Sequence, residues 1–191
     1  MQRSGYEATT MKDIAAEVNL TAASLYHHFN SKDALLLAVL EAGIEQILAE
    51  IEPIARSERT CADKLRRMIA AHIIGLTENT AIGAAMVFEV KSLVSDKFLP
   101  GNGRALDASS VSARREAFVA RRDQFETLFR HVVREGVERR EFRAVDVPIF
   151  VKTMLGAQNW VGVWYHPAGR LNGPQIADML AETFLRALAK E

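Results

Sequence analysis

The residues with the most to offer chemically crowd into "LTAASLYHHFNSKDALL", Leu20 to Leu36. Thr21 and Ser24 bring hydroxyls, Tyr26 a phenol, His27 and His28 imidazoles, and Lys32 an ammonium, where an ordinary surface helix carries Glu and Lys. Covalent or metal chemistry does not fit them. Adjacent positions on a helix point in different directions, and no carboxylate stands at i+4 from either imidazole, so no metal site is expected. Elsewhere there is no Gly-rich phosphate loop, nucleophile elbow or metal-spaced His/Glu cluster, so neither an enzyme nor a cofactor is expected. Cys61, in "SERTCADKL", stands at a helix start that is expected to lower its thiol pKa, but it has no His partner in the sequence. What this set does well is hydrogen-bond to nucleic acid. Small residues let a helix enter the major groove, where a methyl meets thymine and a hydroxyl or imidazole meets base edges.

Two short helices must position that face. "TTMKDIAAEV" starts with Thr10 three residues before Asp13, close to a capping box, and Ile14, Ala15 and Val18 give it an apolar stripe. Asn19 tolerates a left-handed backbone and Thr21 is a good N-cap. Ala15 is small where the helices cross, Leu20 is expected to plug the turn, and Leu25 and Phe29 face inward at i, i+4. The pair reads as a helix-turn-helix. On its outer face lie Ala23, Ser24 and His27, with Ala22 at the tip; Tyr26, His28 and Lys32 flank that face and suit phosphates. Asn30 or Ser31 caps a third helix, expected to run until Pro53, and its free N–H groups can sit against a phosphate.

The rest of the 191-residue chain is built alike. Gly and Pro are scarce and strand-like alternation is nearly absent, so the fold class is all-α, with further helices expected over about 60–79, 81–94, 110–140, 146–165 and 174–190. The loop of Ser95 to Ser110 and "HPAGRLNGP" interrupt them. We divide the chain into 1–40, the helix-turn-helix domain, and 41–191, a helical bundle. Apolar residues make up 49% and the formal net charge is +0, which gives no hint of a polyanion. The first forty residues are even slightly acidic. A single cysteine fits a reducing compartment, and neither a signal peptide nor a membrane-length apolar run is visible, so a cytoplasmic protein without membrane contact is expected. Met86, Phe88, Phe118, Phe125, Phe129 and Met154 are candidates to line an apolar cavity.

"GYEATTMKDIAAEVNLTAASLYHHFNSKDALL" resembles the DNA-binding domain of the TetR (tetracycline-repressor) family, through "TT-x-x-DIA", "T-x-x-S-LY-x-HF" and "SK-x-x-L". The resemblance implies base contacts from Ala22, Ser24 and His27, and phosphate contacts from Thr10, Thr21, Tyr26, His28 and Lys32. It also implies a complete helix ahead of "GY". Only "MQRS" precedes Gly5, so an upstream segment supplying that helix, and positive charge with it, is expected.

The family plan implies a ligand-binding bundle whose last two helices pair across a homodimer. Gly156, Asn159, Trp160 and Val163 line one such helix, and Met179, Leu180, Thr183, Phe184 and Ala187 the other. "MLGAQNWVGVWYHPAGRLNGPQIADML" resembles a subgroup with a "WY-x-P-x-GRL" turn, several members of which respond to acyl-CoA thioesters. Among the arginines of the 110–140 helix, Arg121 is our candidate to clamp phosphates at a pocket mouth, although most pair with nearby acids. The expectation is a dimeric repressor of a palindromic operator, released by a small apolar or acyl-CoA-type effector. The alternatives are a sensor of foreign hydrophobic compounds controlling efflux, and a ligand-binding dimer without DNA binding.

Overall fold

In the computed structural model the described residues are 8–80, 83, 85 and 105–190, with side chains described from 112 onward in the last stretch. Seven α-helices and no strand lie among them: α1 (Met11–Glu17), α2 (Ala22–His28), α3 (Lys32–Ala55), α4 (Cys61–Glu78), α5 (Ala105–Glu138), α6 (Val147–Trp164) and α7 (Gly173–Leu188). The helix expected over 81–94, with Met86 and Phe88, lies outside the described residues. The loop expected to reach Ser110 gives way to helix at Ala105.

Sequence caps set most boundaries. Thr10, Thr21, Ser31, Thr60, Asp146 and Asn172 each accept a hydrogen bond from the backbone N–H three residues on, so each following helix begins with a satisfied donor. Pro53 does not end α3. Losing one N–H within the last turn is tolerable, and α3 continues to Ala55, with Arg56 N–H donating to Glu52 O at 3.1 Å.

The helix α4 is central and touches α3, α5, α6 and α7. Its Leu65, Met68, Ile69 and Ile73 are fully buried, as are Phe118, Phe129 and Val133 of α5 and Met154 of α6. Two glycines set close approaches. A Cβ on Gly173 would stand 2.1 Å from Thr77 Oγ1, so α7 can start against α4 only there without a side chain. A Cβ on Gly136 would stand 2.2 Å from the Phe142 ring, which folds back under the end of α5. That fold-back needs Arg140 at φ 60, after which the N–H groups of Glu141 and Phe142 both donate to Gly136 O. Arg143 then bonds the end of α7, its N–H to Leu188 O at 2.9 Å and its Nε to Ala187 O at 2.7 Å.

A second, smaller cluster buries Met11, Ala15 and Leu25, with Ile14, Phe29 and Leu35 packed against it. Leu35 belongs to α3, and Leu36 of the same helix joins the main core. One uninterrupted helix therefore serves both clusters and crosses the 40/41 boundary. Among the described residues no helix is long and apolar enough to cross a membrane.

Candidate DNA interface and ligand cavity

At the start of α1, Thr10 and Asp13 close a capping box. The Asp13 N–H donates to Thr10 Oγ1 at 3.2 Å, and the Thr10 N–H and hydroxyl donate to Asp13 Oδ2 at 2.8 and 2.6 Å. The Thr10 hydroxyl thereby holds the Asp13 carboxyl below its usual pKa. Ala15, 1% exposed, sits where α1 meets α2. Asn19 turns the chain at φ 55, and the Leu20 N–H donates back to Ala15 O at 2.8 Å. Val18 and Leu20, expected inside, are 55% and 51% exposed. The cap geometry at Val18 ends the helical face it would have shared with Ile14, and the left-handed step at Asn19 leaves Leu20 outside.

On α2, Leu25 anchors the inner side while Thr21, Ser24, Tyr26, His27 and His28 are exposed and Ala22 is half-buried. The Thr21 hydroxyl caps α2, accepting from Ser24 N–H at 3.1 Å, and lies 2.9 Å from the Ser24 hydroxyl. His27 and His28 meet edge-on at 5.2 Å. Lys32 is half-buried, and its ammonium donates to Thr9 O at 3.0 Å, tying the segment before α1 to the start of α3. Thr10, Ser24 and Lys32 thus already hold partners inside the fold. Among the described residues no group of His, Cys, Asp and Glu is placed to hold a metal.

A cavity of about 460 Å³ opens between α3, α4, α5 and α6, within the range of small-molecule sites. Ile44, Ile47, Leu76, Phe125 and Leu155 form its apolar wall, and Glu50, Glu78, Arg122, Glu126 and Lys152 add charge. His72 also lines it. Buried on α4, its Nδ1 lies 3.0 Å from Gln158 Oε1, and its ring meets Phe125 edge-on at 4.9 Å. Burial pushes the imidazole pKa down to about 4, so it is neutral at pH 7.

Of the pocket candidates among the described residues, Phe125 lines this cavity, whereas Phe118, Phe129 and Met154 are fully buried core. Arg121 is turned to α3, where Nε and Nη2 reach the Glu45 carboxylate at 2.6 and 3.1 Å. Arg122 lines the cavity instead. The spacing held this signal, because 118, 122, 125 and 129 share one helical face and 121 is a step around it. His72 carried a signal too, at i+4 from Met68 and i−4 from Leu76 on the apolar stripe of α4. The Cys61 thiol is likewise not activated. Burial, then the Glu135 and Glu141 carboxylates, push it up to about 11, against the helix dipole.

The profile of "Bacterial regulatory proteins, tetR family" matches residues 1–39, and that of "Tetracyclin repressor-like, C-terminal domain" matches 107–188. The chain belongs to the TetR family. Its relatives are transcriptional regulators, not enzymes. The HTH-type transcriptional repressor KstR2 of Rhodococcus jostii is 26% identical over 187 residues, 97% of this chain and 83% of that protein. The TetR-family regulator PfmR of Thermus thermophilus superimposes with a TM-score of 0.80 at 29% identity, covering 100% of this chain and 93% of that one. The structure of AibR in complex with isovaleryl coenzyme A and operator DNA shares the fold, with a TM-score of 0.71 at 24% identity over 94% of this chain and 89% of that one.

In this TetR-family chain α6 and α7 carry an apolar surface. Trp160, Trp164 and Met179 are more than half exposed and Val163, Leu180 and Phe184 are half-buried, whereas Gly156 and Asn159, expected on the same surface, line the cavity. Phe184 meets Phe150 of its own chain edge-on at 6.0 Å.

Proposed function

We propose that the protein is a homodimeric repressor that binds a palindromic operator through α2 and is released when an apolar or acyl-CoA-type effector fills the cavity. One observation carries the reading. Residues 43–50 of α3 wall the cavity, and the same helix begins at the helix-turn-helix, with Lys32 bonded to it and Leu35 packed against its core. An effector that binds one position of α3 more tightly than another therefore shifts the reading helix; equal affinity for both would shift nothing. The exposed Trp160, Trp164 and Met179 fit a twofold four-helix interface with a second copy, which would set two reading helices on one face of DNA. AibR, whose fold this chain shares, holds isovaleryl coenzyme A in its structure together with operator DNA. Arg122 and Lys152 are cations placed to meet thioester phosphates, and Arg122 makes no ion pair among the described residues.

A second reading has its own support. Glu50 and Glu78 make no ion pair among the described residues, which favours an apolar cation, the chemistry of a foreign-compound sensor. A thermal-shift and operator-release screen across acyl-CoAs and lipophilic cations separates the two. At about a hundred times its dissociation constant, the right ligand stabilises the fold by roughly 2.7 kcal/mol. Release by thioesters alone supports the first reading, release by cations alone the second, and a protein that binds no operator selected from random DNA refutes both. On that operator Ser24→Ala and His27→Ala are expected to change sequence preference, while Tyr26→Phe weakens binding to all sequences.

A further inference from the structure

The charged mouth of the cavity says little about the body of an effector, but the polar group on its inner wall says more. Gln158 is fully buried on α6, and its Nε2 turns to its own helix, 3.4 Å from Met154 O, which leaves Oε1 to face the imidazole. An amide oxygen only accepts, so His72 Nδ1 carries the hydrogen, and in a neutral imidazole Nε2 is then a bare acceptor. No described group donates to Nε2. Nor is it sealed in: among the described residues the buried side-chain nitrogen or oxygen left without a partner is Arg130 Nε. Nε2 is therefore open to the cavity that the ring lines, beside Ile44, Leu76, Phe125 and Leu155.

We propose that the cavity selects effectors bearing a hydrogen-bond donor, a hydroxyl or amide N–H, on the apolar body where it reaches His72 Nε2, and discriminates against keto and unsubstituted counterparts. The inference rests on the cavity's being the effector site. An unsubstituted chain displaces water from Nε2 and leaves the lone pair unpaired, and a keto oxygen sets a second lone pair against it. Sites that hydrogen-bond a ligand hydroxyl reject analogues that lack it far more strongly than apolar walls reject a methylene.

The test uses the full-length protein and ten-carbon CoA thioesters in matched trios, saturated, hydroxylated and oxo at the same carbon, with that carbon moved along the chain. At one position the hydroxylated compound is expected to bind roughly ten- to a hundredfold tighter than both partners. His72→Phe is expected to bring that ratio to within about threefold. Thioesters that bind and release the operator with no hydroxyl preference at any carbon overturn this inference and leave the effector-site reading standing. Absence of binding by every thioester overturns this inference together with the acyl-CoA reading, and leaves the lipophilic-cation reading of the cavity standing. The tautomer is checked without a variant, by 15N spectroscopy of the wild-type histidines: a hydrogen on Nε2 of His72 also overturns the inference.

Discussion

The buried neutral imidazole of His72 makes stability depend on pH in a way that one substitution isolates. The ordinary imidazole value is 6.5, and burial lowers it to about 4 in the folded protein. Between those values the unfolded chain binds a proton that the folded chain refuses, so His72 favours unfolding as pH falls through 6.5, with the full effect reached below 4. At pH 5 the unfolded imidazole is almost wholly protonated and the folded one about a tenth, which gives a loss of about 2 kcal/mol relative to pH 7.5. For a chain of this size that is roughly 4–8 °C in Tm. Carboxylates titrate in the same window, so the informative quantity is the difference between wild type and His72→Gln. Urea unfolding of both at pH 7.5, 6.5, 5.8 and 5.0, at one protein concentration, supplies it. The variant is expected to lose about 2 kcal/mol less than wild type across the range. Parallel loss in the two proteins would refute the reasoning, because it would mean that the folded imidazole accepts its proton as readily as the unfolded one.

Two further outcomes follow from the packing. Gly136→Ala brings a Cβ to 2.2 Å from the Phe142 ring, and the overpacking cost of about 1–3 kcal/mol is expected to exceed the helix-propensity gain of roughly 1 kcal/mol. In a Phe142→Ala background the same change should stabilise, as read by thermal unfolding. Lys64, 4% exposed, bonds Glu135 at 3.0 Å and holds that carboxyl below its usual pKa. Lys64→Met is expected to cost about 3 kcal/mol, and Lys64→Met with Glu135→Leu to recover most of it in urea unfolding.

Local chemistry made the helix-turn-helix legible from sequence. Capping residues, the left-handed Asn19 and the inward Leu25 are signals that neighbours a few residues apart carry by themselves. The cavity was legible only in part, because its members converge from four helices. Phe118 and Phe125 look alike in sequence, yet the first is packed into the core and the second faces open space. The arginines of α5 show the same limit. Arg114 and Arg121 bond Glu41 and Glu45 of α3 rather than acids of their own helix, and nothing within α5 announces partners more than seventy residues away. Val18 and Leu20 were misplaced because an apolar spacing says which residues can share a face, but not where a cap ends that face.

The helix common to both clusters has 24 residues, a rod of roughly 36 Å. Leverage follows from that length. A tilt of about 5° about its Ala55 end carries the Lys32 end about 3 Å, close to the ~3.4 Å rise between successive bases on a strand. Wall movements well under the diameter of a methyl group therefore arrive at the other end as a full step along a groove. In a twofold pair both arms swing at once, and the gap between their tips changes by up to twice that amount. In the proposed repressor such a rod gears a small adjustment in the bundle to a mismatch of register on DNA.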